Sequence, residues 1–147
     1  PSNVGGITQG KIGQVVSTYL TTTFQTTSTS LADSGISATI TPSSTSSKIF
    51  MILNVNGYKG TGDRGYYGFF RGSTNLGGTN FGQYQLQNVN NYQHAGGSFL
   101  DSPNTTSSTT YKIYYRSGDG FAFYLNPSAQ ASNDGARGSF TLMEVLA

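Results

Sequence analysis

ISATITPSSTSSKIFMILNVN, residues 36–56, reads as two strands joined by a polar turn. Ile36, Ala38 and Ile40 alternate with Ser37, Thr39 and Thr41, the period of a half-buried strand. Pro42 and the run Ser43 to Ser47 break the alternation with turn chemistry. From Lys48 onward the pattern changes. Ile49, Met51, Leu53 and Val55 share one face, while Phe50 and Ile52 sit on the other. A strand apolar on both faces must be covered on both sides. In a small chain the second cover is often another copy of the same chain.

A length of 147 residues predicts one domain with a core that needs no staples. No cysteine is present, which excludes disulfides and thiolate metal sites. Only 10% of residues are charged, against roughly 25% in an average soluble domain. Ser, Thr, Asn, Gln and Gly supply the polarity instead, so long-range steering of a charged partner is not expected. The net charge of +2 comes from scattered basic residues, and nucleic-acid binding needs clustered ones. No apolar run approaches the roughly 18 to 20 residues that cross a bilayer. Nucleic acid and membrane are therefore not expected partners. The opening Pro1 fits an initiator methionine removed after translation, which would make the chain a whole small protein; a processing site would leave the same residue.

Along the chain, residues 1–10 form a Gly-bearing arm, either a loose tail or a segment that docks on a partner. Residues 11–147 read as a single β domain. Strands are expected at Lys11–Leu20, within the Thr-rich stretch Thr21–Ser30, and at 36–40, 48–56, 66–71, 98–101, 109–116, 121–125 and 139–146. Residues 80–96, rich in amides, show no clear period. Asp119-Gly120 marks a hairpin. No segment shows three turns of amphipathic helix. About eight strands with turns between them predict an antiparallel β-sandwich, jelly-roll-like. The strands 48–56 and 139–146 are apolar on both faces, which predicts a subunit contact in a closed cyclic oligomer through Phe50, Ile52, Phe140 and Leu142.

Little in the sequence asks for catalysis. His94 is the one histidine, and it sits among amides with no nucleophile motif nearby. Four of the six acids, Asp33, Asp63, Asp119 and Asp134, lie beside or one residue from glycine, as turn residues do. No carboxylate pair, calcium loop or phosphate-cradling glycine motif has the right spacing. No enzyme activity, cofactor or metal is expected. The aromatic content is the more informative signal: 10 Tyr and 9 Phe without Trp. Tyr beside Asn and Gln suits a sugar- or protein-binding surface, and Tyr lining a core or a subunit contact gives the same composition.

Several stretches together resemble a module common in tail-fibre and other structural proteins of tailed phages. These are residues 15–57, which follow Gln14 and carry a Thr/Ser-rich strand with ITPSSTSSKI opening the next; Phe70-Arg71-Gly72-Ser73-Thr74; SFLDSPNTTSSTTYKI, 98–113; and the closing GSFTLMEVLA, 138–147. The resemblance implies a protein of the virion surface and, by analogy, a homotrimer. No coiled-coil or collagen-like shaft is present, so the expectation is a capsid decoration (cement) protein. It would contact the major capsid protein through an arm bearing Ser2, Asn3, Val4 and Ile7. The alternative is a receptor-binding fibre tip that meets a host-surface glycan through Tyr58, Tyr66, Asn75 and Asn133.

Overall fold

Alternating apolar and polar residues give eleven strands and two antiparallel sheets that share one core. The computed structural model describes residues 10–87, 91–127 and 137–146. The strands are β1 (Lys11–Leu20), β2 (Phe24–Thr26), β3 (Ala32–Ile40), β4 (Lys48–Tyr58), β5 (Arg64–Arg71), β6 (Thr74–Asn75), β7 (Tyr84–Gln87), β8 (Tyr92–Asp101), β9 (Thr109–Ser117), β10 (Phe123–Leu125) and β11 (Gly138–Leu146). The larger sheet has six strands. β4 lies inside it, paired with β8 from Ile49 to Tyr58 along one edge. Along its other edge it pairs with β11 up to Asn54 and then with β10 at Gly57 and Tyr58. β1 flanks β11 and β2 flanks β10. The smaller sheet runs β3-β9-β5, with β6 and β7 both beside β5.

The core lies between the sheets. Ile49, Met51, Leu53 and Val55 of β4 meet Phe140 and Leu142 of β11, Phe123 and Leu125 of β10, and Ile36, Ile40, Phe69, Tyr111 and Ile113 of the smaller sheet. Burying each such side chain contributes roughly 1.5–3 kcal/mol. One buried polar junction also ties the sheets together. Asp101 of β8 accepts hydrogen bonds from Arg71 of β5 at 2.8 Å and from the Tyr111 hydroxyl of β9 at 2.7 Å.

Where structure and sequence reading differ, tertiary pairing explains the difference. Within Thr21–Ser30 only Phe24–Thr26 is a strand, because β10 offers just three residues to pair with. The short strand expected at 98–101 is the end of the ten-residue β8. A side chain at Gly97 would collide with the ring of Tyr84. The glycine is there to let that ring pass. Tyr84 itself opens β7, also inside the stretch without a clear period.

Candidate functional site: the outer face of the larger sheet

Cross-strand partners in an antiparallel pair share a face, so the register sets out the outer surface of the larger sheet row by row. Leu100, Phe50, Met143 and Val15 form one row across β8, β4, β11 and β1. Ser98, Ile52, Thr141 and Ser17 form the next. On the other side of the first row, Val145 stands opposite Ile12 on β1 and Lys48 on β4. Leu100, Val15 and Ile12 are 48%, 55% and 54% exposed. Phe50, Ile52, Met143 and Val145 are half-buried. Four strands at about 4.8 Å spacing make this patch roughly 14 Å wide. That is the scale of an interface's apolar centre rather than of a whole interface of about 800 Å2 per partner. Lys48 stands at its margin opposite Val145, and Arg137 donates to the hydroxyl of Tyr19 on the same face at 3.0 Å; Glu144 and Asp101 of the same strands point inward and are buried.

Two of the four residues expected at the subunit contact lie elsewhere. Phe140 and Leu142 are fully buried in the core. Phe140 pairs with Leu53 and Leu142 with Met51, both core residues. The β11 residues that face outward are Ser139, Thr141, Met143 and Val145. Sequence alternation identified two faces on this strand without saying which one belonged to the sandwich. Phe50 and Ile52 do lie on the outer face. Val15, Ile12 and Leu100 were missed because their strands carry too few outward apolar residues to stand out singly. Ser2, Asn3, Val4, Ile7 and Asn133 lie outside the described residues.

The outer face of the smaller sheet has a different character. Phe70 and Tyr114 stack on each other with ring centroids 3.9 Å apart. The Arg116 guanidinium lies 4.8 Å from the Phe81 ring centre and 5.6 Å from that of Tyr66. Lys112 is paired with Asp33 at 2.6 Å. Charges are depleted at interface centres, so this face is the poorer candidate for burial.

Side chains bridge the two sheets at both flanks of the sandwich. The Tyr84 hydroxyl accepts from Ser98 N at 3.0 Å and donates to Ser98 O at 2.8 Å. The Tyr67 hydroxyl donates to Gly96 O at 3.0 Å. These bonds take up the Gly96–Ser98 part of the β8 edge that β4 leaves open. On the opposite flank, Thr18 Oγ1 of β1 donates to Ser37 O of β3 at 3.1 Å. Gln14 Nε2 donates to Thr41 O at 2.7 Å. Unpaired edges are the usual route to strand addition, and these side chains take up part of two of them.

The residues expected to meet a glycan are not brought together. Tyr58 lies on the outer face of the larger sheet, and Tyr66 on that of the smaller, beside Phe81. Asn75 is used within its own turn: its Nδ2 donates to Thr79 O at 2.6 Å and its Oδ1 accepts from Gly77 N at 2.9 Å. His94 Nε2 lies 3.0 Å from Asn54 Oδ1, in an open groove lined also by Ile52, Tyr84 and Ser98. Among the described residues no three His, Cys, Asp or Glu side chains are grouped to hold a metal ion. No protein-family model matches the chain, and no curated protein matches it.

Proposed function

We propose that the protein is a non-enzymatic virion surface protein that assembles as a homotrimer of jelly-roll-like sandwiches through the outer face of the six-stranded sheet. Within that reading it is a capsid decoration protein that ties major capsid subunits together. The observation that carries the assembly is the bare row Leu100–Phe50–Met143–Val15. It crosses four strands and holds no charge. A second copy of the chain is the fitting occupant, since the row itself carries no charge and a self-complementary apolar surface is what a closed oligomer buries. The number three and the place on the virion rest on the likeness to tailed-phage structural modules.

Repetition across a trimer adds avidity to each contact with the shell. A contact surface poor in charge also makes attachment insensitive to salt. Sedimentation equilibrium at micromolar concentration is expected to give three times the chain mass. Electron microscopy of intact particles is expected to show hundreds of copies on the shell. A monomer in the centrifuge would sink the assembly. A few copies at the tail would replace decoration by the fibre-tip reading, and stripping by physiological salt would overturn the burial mechanism.

A further inference from the structure

We propose that Tyr58, Tyr92 and Tyr124 form a binding platform for an uncharged saccharide chain. They come from three strands, β4, β8 and β10, and stand in one row: Tyr92 is the partner of Tyr58 on one side, and Tyr124 on the other. The ring centroids of Tyr58 lie 5.2 Å from Tyr92 and 5.9 Å from Tyr124, with tilts of 38° and 51°. Tilted in this way, the rings cover one another only in part. Tyr92 is 45% exposed and the other two are half-buried.

The row matches a pyranose chemically. A sugar ring has an apolar face of C–H groups and a rim of hydroxyls. Tyr rings are rigid amphipathic surfaces that take the first, and amides and imidazole take the second. Gln25 continues the row beyond Tyr124, and Asn56 and His94 form the next one. All three are exposed. No Lys, Arg, Asp or Glu stands in these two rows, and the nearby Lys59 is buried against Asp119. Among the described residues of these rows a charged ligand would find no partner, so an uncharged one is assigned.

This inference goes beyond the assembly and does not depend on it. Tyr58 lies eight residues along β4 from Phe50, about 26 Å away, with Asn54 and Asn56 between them on the same face. The site also differs from the loop cluster expected from sequence, since Tyr66 and Asn75 have no part in it.

The test is affinity electrophoresis in gels cast with a neutral glucan, a mannan, a galactan or, as the acidic comparison, polygalacturonate. At least one neutral polymer is expected to retard the protein. Tyr92→Ala and Tyr124→Ala are each expected to weaken retardation by at least about tenfold, while Tyr92→Phe, which keeps the ring, stays within about threefold of the parent. Both alanine variants should melt close to the parent, since neither residue is in the core. Val15→Asp is expected to dissociate the oligomer and leave retardation of the protomer in place, so loss of assembly and loss of sugar binding are read separately. The proposal is overturned if no neutral polymer retards the protein, if polygalacturonate alone does, or if both alanine variants are retarded as strongly as the parent.

Discussion

Lys59 Nζ lies 2.9 Å from Asp119 Oδ1, and the lysine side chain is wholly shielded from solvent. The ammonium also donates to Thr61 O at 2.5 Å and to Phe121 O at 3.3 Å. Asp119 in turn accepts from Ser117 Oγ, Phe121 N and Asp63 N. Burial acts to raise its carboxyl, and Lys59 with these donors holds it well below the usual carboxylate range instead. Two loops that meet at one end of the sandwich are thereby knotted around one charge pair. Lys59→Ala leaves that carboxylate without its cation. We expect a loss of about 3 kcal/mol, the low end for breaking a buried pair because Asp119 keeps partial contact with water. Urea denaturation at pH 7 measures it, and an unchanged midpoint would show the knot to be incidental.

Glu144 is a second inward carboxylate. It accepts from Ser43 N at 2.6 Å, Ser43 Oγ at 2.7 Å and Gln14 Nε2 at 2.8 Å. Burial works to raise its carboxyl, but the hydrogen bonds from Gln14 and Ser43 outweigh it and hold it at about 2, below the ordinary 4.5. A folded-state value below the unfolded one adds stability above the unfolded value, and that stability is lost as pH falls toward the folded value. The melting temperature is expected to fall between pH 4.5 and 2. Glu144→Gln should melt lower at neutral pH and show a flatter decline across that window. An identical acid profile in parent and variant would remove Glu144 from the account.

The Tyr84 hydroxyl satisfies both backbone groups of Ser98 on the open edge of β8. Tyr84→Phe keeps the ring stacked 5.3 Å from Tyr67 and removes only the cap. The expected cost is about 1 kcal/mol, since the freed groups can reach water. Hydrogen exchange gives the sharper reading. The Ser98 amide should exchange faster, while the Val55 amide, inside the sheet, should not change. Equal protection of Ser98 in both proteins would mean that the edge is shielded by something else.

Leu100 and Leu142 belong to the same sheet and point in opposite directions. Leu142→Asp places a charge in the core and is expected to prevent folding, at a cost above about 4 kcal/mol. Leu100→Asp places the same charge on an exposed position. It should leave the melting transition of the protomer within about 0.5 kcal/mol of the parent and dissociate the oligomer. Circular dichroism and light scattering on the two variants separate these outcomes. A Leu100→Asp protein that still assembled would move the contact away from this face.

Much of the fold can be read in the chain. Ile36, Ala38 and Ile40, and Tyr111, Ile113 and Tyr115, alternate with polar residues, and all six are buried in the core. β8 was harder to read, because its Gly97 makes room for the ring of Tyr84, which arrives from another strand. The candidate site was harder still. Phe50 and Ile52 stand out because they interrupt an alternation. Val15 and Leu100 gain meaning only beside them, and the Tyr58–Tyr92–Tyr124 row joins residues up to 66 positions apart.

Local chemistry therefore determined the all-β class and most strand positions, because a strand's period of two is written in adjacent residues. It also showed that β4 has two apolar faces. Which face of β11 turns inward, which side chains bridge the sheets and which stand in one row were decided by the tertiary structure. Those properties depend on cross-strand register, and register is set by the packing of distant segments against one another.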